Sequence, residues 1–321
     1  MTFRGARMTP LWADFPIFRI LSIPVADVAS PLKAATRVSA VDRYIVTLRC
    51  VDAPGVIHAM ASALLKAQGN ILEQAQFTDE ATGKFSMRTR FETPLSQLEE
   101  VRSLLNTEVS KFDPIISLRR EDERRRALIM VSQQDHCLAD LLYRHANGEL
   151  PIDIPVIVSN HETCRALASQ YNIPFAYIPV TTSNKTDAER ELMDLIDKHS
   201  IDVVVLARYM QILSNDFCST LEGRVINIHH SFLPGFKGAR PYQQAYDRGV
   251  KLIGATAHFV TADLDEGPII EQDVHRVQHN HSALDLAEIG RDVERRVLAR
   301  AVRLYSEDRV LLDDQRTVIF G

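Results

Sequence analysis

The chain has 321 residues, 45% of them hydrophobic and 25% charged, with a formal net charge of −5. That length and composition suit two globular domains, and the acidic balance argues against a nucleic-acid-binding surface. Cys50, Cys137, Cys164 and Cys218 are scattered with no CxxC pair, which speaks against a disulfide framework and for a reducing compartment. No apolar run reaches the ~20 residues of a membrane span.

Residues 1–40 carry five basic residues against two acidic ones and no long apolar segment of the secretory kind. They are expected to be a flexible extension, or an over-long start with Met8 as the initiator. A mitochondrial targeting segment is the alternative to a cytoplasmic protein.

Residues 41–118 follow with a second rhythm. Tyr44–Val51 is apolar and β-prone and predicts a strand. Asp52-Ala53-Pro54-Gly55 breaks it, and Val56–Ala67 then has apolar residues at helical spacing, ended by Gly69-Asn70. Ile71–Phe77 and Lys84–Glu92 alternate as two strands about a Thr82-Gly83 turn. A helix over Pro94–Val109 and a strand over Asp113–Leu118 complete βαββαβ, a ferredoxin-like unit.

Eight consecutive charged residues, Arg119–Arg126, are expected to lie outside any core, as a domain linker over 119–126. From Ala127 to residue 321 the pattern is different. ALIMVS predicts a buried strand, and strands over 156–159, 175–178, 203–207 and 224–229 alternate with helices over 137–146, 163–171 and 187–198. Such alternation predicts a mainly parallel, Rossmann-like sheet with helices on both faces. Strands over 252–261 and 268–277, a long helix over 282–306 and a hairpin over 310–320 follow. The fold class is therefore α/β, a ferredoxin-like domain ahead of a parallel-sheet domain.

In an open parallel sheet, ligands bind beyond the carboxyl ends of the strands. Asn227 and His229 stand at such an exit and, two apart, project to one side. His258 lies on a later strand, and Asp265 lies in the turn after it. These types suit acyl transfer: an amide donor for a developing oxyanion, an imidazole that titrates near neutrality, and a carboxylate to orient water or hold an imidazolium. Spacing alone equally allows a strand-end cap at Asn227, an ordinary loop histidine at His229 and a turn acid at Asp265. His275, His279 and His281 are expected to be surface histidines rather than metal ligands.

NIHHSFLPGFKG followed by AHFVTADLDEGPIIEQ resembles the signature of the folate-dependent formyltransferase family, over roughly residues 127–310. The resemblance implies Asn227, His229 and Asp265 as the catalytic trio, with His258 supporting them. Leu206–Leu213 (LARYMQIL) looks like the family's folate loop, which makes Arg208, Tyr209, Met210 and Ile212 candidates for substrate binding, together with Ser231 and Gly238. No cofactor or metal is implied, folate being the substrate. The front unit resembles an ACT domain. ACT modules pair and bind amino acids between them, so Asp52, Gly55 and Asn70 are implied regulatory residues, methionine or glycine the implied effectors, and a homo-oligomer the implied assembly. At Gly55 the physical sense is that backbone amides can approach a carboxylate at a helix N-terminus, although the glycine could equally serve only the turn.

An ACT domain ahead of the catalytic unit resembles the deformylase members of the family. That implies hydrolysis of 10-formyltetrahydrofolate to formate and tetrahydrofolate, supplying formate for purine biosynthesis and balancing the one-carbon pool. The alternatives are formyl transfer to an amine such as glycinamide ribonucleotide, and a non-catalytic amino-acid or folate sensor. A transferase for glycinamide ribonucleotide needs a glycine-rich turn whose amides face phosphate. Here Ser132-Gln133-Gln134-Asp135-His136-Cys137 holds no glycine, and Asp135 is expected to repel phosphate and to cap the following helix. A formyltransferase acting on tRNA would carry a basic C-terminal domain that this sequence does not contain.

Overall fold

The computed structural model describes residues 41–233, 235 and 241–321; Gly238 and the expected extension over residues 1–40 lie outside the described residues. The first unit runs β1 (Asp42–Val51), α1 (Val56–Lys66), β2 (Asn70–Asp79), β3 (Lys84–Thr93), α2 (Leu98–Val109) and β4 (Ile115–Arg120). Its four strands are antiparallel in the order β2-β3-β1-β4, the ferredoxin-like arrangement. Tyr44, Val46 and Leu48 alternate along β1 toward the helices, where they meet Met60 and Leu64 of α1 and Val101 and Leu105 of α2. Gly55 closes the turn before α1 with φ +98°, a conformation that any side chain would strain.

The second unit begins with β5 (Arg125–Val131), α3 (His136–Ala146), β6 (Ile152–Ser159), α4 (Arg165–Gln170), β7 (Phe175–Tyr177), α5 (Lys185–Lys198) and β8 (Val203–Leu206). It continues with α6 (Asn215–Thr220), β9 (Val225–His229), α7 (Pro241–Asp247), β10 (Leu252–Phe259), β11 (Ile269–Arg276), α8 (Ala283–Ser306), β12 (Val310–Asp313) and β13 (Arg316–Ile319). Seven strands make one sheet, β11-β10-β9-β8-β5-β6-β7. β7, β6, β5, β8 and β9 run parallel, and β10 is antiparallel to both its neighbours. Ile129, Val131, Val205 and Ile226 face one core with Leu138, Leu141, Val297 and Leu298. Leu128, Met130, Val204 and Leu206 face a second core with Leu192, Ile196 and Phe217. The unbroken apolar runs of β5 and β8 follow from this burial on both faces. The short helix α7 has no counterpart among the elements expected from sequence.

The charged run between the units departs from expectation. β4 and β5 reach into it from either side, leaving only residues 121–124 between strands. Arg119 is 8% exposed. Its guanidinium pairs with Asp308 and donates to the carbonyls of Arg120, Glu123 and Ser306. An arginine can be buried when its donor fork is matched in this way. The same seam holds Arg88, which donates to the Glu307 carbonyl, and Arg309, which pairs with Glu73 and Glu307.

Candidate active site

β9 and β10 carry the polar centre. Asn227 and His258 are register partners on these antiparallel strands, and His229 lies two residues after Asn227 on the same side. His258 Nδ1 lies 2.9 Å from the carbonyl oxygen of Phe259. A carbonyl only accepts, so Nδ1 carries the proton, and in the neutral ring Nε2 is left as an acceptor. The Asn227 amide Nδ2 stands 3.2 Å from that Nε2 and donates to it. His258 thereby fixes which way the Asn227 amide faces.

Asp265 comes from the turn between β10 and β11, at φ +57°. Gly267 lets this turn close: a Cβ there would lie 1.7 Å from the Phe259 carbonyl oxygen and 3.3 Å from His258 Nδ1. Asp265 Oδ2 is 3.2 Å from His229 Nδ1, and Oδ1 is 3.7 Å from His258 Nε2. Burial alone would push the Asp265 carboxyl up, but the imidazoles facing it, first of all His229 through its hydrogen bond, outweigh it and hold it well below the usual carboxylate range. With Nδ1–H directed at Asp265, His229 presents Nε2, which is buried and has no partner.

These four side chains line one wall of a cavity of about 730 Å³. The loop after β8, Arg208–Leu213, lines another. Ser132 anchors that loop: its Oγ accepts from the Met210 amide at 2.9 Å and donates to Asn160 Oδ1 at 2.7 Å. Arg208, Tyr209, Met210 and Ile212 all line the cavity. Ser231 does not line the cavity; its hydroxyl donates to the Gly235 carbonyl at 2.7 Å and holds the following loop. Asp135 stands at the N-cap position of α3, but its side chain caps nothing; its carbonyl accepts from the Ala139 amide.

Beside these walls stand residues that sequence reasoning missed. Glu294, on α8, is 1% exposed and takes two hydrogen-bond donors beside a guanidinium. His136 Nε2 donates at 2.8 Å, the Tyr242 hydroxyl at 2.5 Å, and Arg208 Nε lies at 3.4 Å. Burial raises the carboxyl of Glu294, yet His136, the Arg208 charge and Tyr242 together bring it below the usual value. His230 stacks between His229 and Tyr242, with ring centroids 5.1 and 6.3 Å away. Burial, helped by the charge of Arg208, pushes His230 down to about 3, so its ring is neutral. The sequence did hold a signal for Glu294. Leu286, Gly290, Val293 and Val297 form the buried stripe of α8, and Glu294 lies on it.

His136, Cys137 and Glu294 are close enough to suggest a metal site. The donor chemistry does not suit one: burial, with the Glu294 charge nearby, pushes the Cys137 thiol well above its usual value, and the Glu294 oxygens already accept from His136 and Tyr242 and pair with Arg208. His275 and His279 are exposed, and His281 accepts from the Gln278 amide through Nδ1.

The three expected regulatory residues are not brought together. Asp52 and Gly55 lie before α1, whereas Asn70 opens β2 beyond its other end. The eleven-residue helix between them spans ~16 Å.

The formyl transferase family matches residues 125–302 of the chain. A formyltetrahydrofolate deformylase of Bacillus subtilis is 45% identical over 285 residues, 87% of this chain and 94% of that protein. The crystal structure of a formyltetrahydrofolate deformylase from Burkholderia mallei is 45% identical, with a TM-score of 0.84, and covers 87% of this chain and all (100%) of its own. A glycinamide ribonucleotide transformylase from Symbiobacterium toebii is 28% identical, with a TM-score of 0.59, and covers 64% of this chain and 98% of its own.

Proposed function

The chain belongs to the formyl transferase family and, within it, to the formyltetrahydrofolate deformylases; it hydrolyses 10-formyltetrahydrofolate, and we propose that Asn227, His229, Asp265 and His258 carry that reaction. The observation that carries this reading is convergence. An amide, two imidazoles and an ionised carboxylate meet within 3.2–3.7 Å contacts on the wall of a cavity of folate-binding size.

The formyl group of the substrate lies against Asn227 and His229, with the folate along Arg208–Leu213. Water attacks the formyl carbon. The Asn227 amide, oriented by His258, donates to the oxygen that becomes negative. Asp265 stays a carboxylate at neutral pH, so its work is orientation: it holds the His229 ring through Nδ1 and accepts from the attacking water. The unpartnered His229 Nε2 takes the water's proton and returns it to N10, the C–N10 bond breaks, and formate and tetrahydrofolate result.

Water is the acceptor because the start of α3 is unsuited to phosphate. Gln134 and His136 are committed to Arg208 and Glu294, and Asp135 adds a negative charge. The product formate then feeds purine biosynthesis and balances the one-carbon pool. The front unit acts as an ACT domain, and since Asp52 and Gly55 stand at the opposite end of α1 from Asn70, an amino-acid effector binds between two copies in a homo-oligomer. No helix among the described residues is long and apolar enough to cross a membrane; a cytoplasmic location belongs to the same proposal.

The test is formate release from 10-formyltetrahydrofolate by the purified protein, with and without glycinamide ribonucleotide, methionine or glycine. Formate in one-to-one yield with tetrahydrofolate, unchanged by the ribonucleotide, is expected. Formyl transfer to the ribonucleotide would make the protein a transferase, and absence of any turnover would leave only the sensor reading.

A further inference from the structure

Five buried side-chain polar atoms among the described residues lack a partner, and two of them belong to residues lining the cavity: Arg208 Nη1 and His229 Nε2. The His229 atom has a role in proton transfer, while the Arg208 atom has none so far. Arg208 is 8% exposed and follows β8 at φ +65°, in the left-handed region. Its Nε is occupied, donating to Gln134 Oε1 at 3.1 Å with Glu294 Oε2 at 3.4 Å. A buried guanidinium N–H left without an acceptor is costly, and in a ligand cavity it marks a place that an acceptor fills.

The neighbours define that acceptor. His230 is neutral and brings no competing charge. Glu294 turns its oxygens to His136 and Tyr242 as well as to Arg208. On this side the cavity therefore offers a cationic donor close to the reaction centre, next to the His229–His230 stack.

We propose that Arg208 Nη1 is the donor of a small-carboxylate subsite, and that the carboxylate it takes is formate, held where hydrolysis leaves it. The inference rests on the hydrolytic reading only for the origin of that anion. In the reaction, one formate oxygen comes from water and the other from the formyl carbonyl. The C–N10 bond breaks, N10 keeps one proton of the water, and the second proton goes to solvent. A neutral formyl group thus becomes an anion inside a buried site that already holds Asp265 and Glu294. Arg208 offsets that new charge, and as a single charge-assisted hydrogen bond it does so weakly enough for product to leave.

The experiment measures binding of 13C-formate to the full chain by NMR line broadening, without folate. Wild type is compared with Arg208→Gly, whose backbone conformation suits glycine, and with Arg291→Ala, which removes an exposed cation elsewhere on the cavity wall. Formate should bind wild type in the millimolar range, Arg208→Gly about tenfold or more weakly, and Arg291→Ala as wild type. Circular dichroism checks that Arg208→Gly is folded, and Arg208→Lys, which keeps charge but not the fork, should also lose binding. Equal binding by Arg208→Gly, equal loss in Arg291→Ala, or no binding to wild type at 100-fold excess over protein would overturn the proposal. Formate binding that depends on Arg208 in a protein that releases no formate would keep the subsite and sink the deformylase reading instead. Turnover with no formate binding would do the reverse.

Discussion

Gly290 and Tyr242 occupy each other's space: a Cβ on Gly290 would stand 2.1 Å from the Tyr242 hydroxyl oxygen and 2.2 Å from the ring carbon that bears it. That hydroxyl donates to Glu294, one helical turn further along α8. The absence of a side chain at one position thus lets a phenol reach a buried carboxylate that would otherwise lack one of its donors.

Gly290→Ala should therefore destabilise the protein despite alanine's better helix propensity. The ring must move and the hydrogen bond to Glu294 is lost, at about 1.5–3 kcal/mol, against a propensity gain of about 1 kcal/mol. A net loss of ~0.5–2 kcal/mol in urea unfolding is expected. In a Tyr242→Ala background the same substitution should cost nothing further, because the two residues act on one space. An undiminished penalty in that background would disprove the coupling.

Asp265→Asn should fold normally and lose turnover. The amide can still accept from His229 Nδ1, but the negative charge that steadies a protonated His229 is gone. A fall of about 10²–10⁴-fold in kcat for formate release is expected, with KM for the folate little changed. A variant that retained most of its activity would remove Asp265 from the mechanism.

The depressed carboxyls of Asp265 and Glu294 predict an acid-sensitive stability. A carboxyl whose folded-state pKa lies below its unfolded value stabilises the fold above the unfolded value, near 4, and that contribution disappears as pH falls through the folded value. Urea midpoints should therefore separate wild type from Glu294→Gln most at about pH 7 and converge as pH falls below about 4. A gap that widened in acid would contradict the ionised, hydrogen-bonded state of Glu294.

Arg119 joins the two units. Arg119→Met should leave Asp308 with Arg125 alone and strand three carbonyls, at a cost of ~3–5 kcal/mol in unfolding free energy. Arg119→Lys should recover little, since an ammonium cannot reach four acceptors in the plane of a fork. Full recovery by lysine would show that charge alone matters at this seam.

The elements of both units were legible because their burial leaves a mark on neighbouring residues. ALIMV in β5 and VVVL in β8 are buried on two faces, and α1 shows one apolar stripe. The helix α7 was not legible, since seven residues give too little periodicity to stand out. The placement of the regulatory trio was not legible either: Asp52 and Gly55 precede α1 and Asn70 opens β2, so the helix separates them within one copy.

Within the site, Asn227 and His229 could be paired from sequence because strand geometry makes residues two apart share a side. His258 and Asp265 joined them only through motif resemblance, and it took the pairing of β9 with β10 and the Gly267 turn to put them within reach. Arg208, His136, Tyr242 and Glu294 come from four separate segments, and Glu294 sits in a charge-rich stretch of α8 that resembles a solvent face. Local chain chemistry determines which residues can form strands and helices, since that depends on neighbours a few positions apart. Which charges meet inside the protein depends on how the sheet and α8 pack, and a buried carboxylate with donors 158 and 52 residues away in the chain is decided only there.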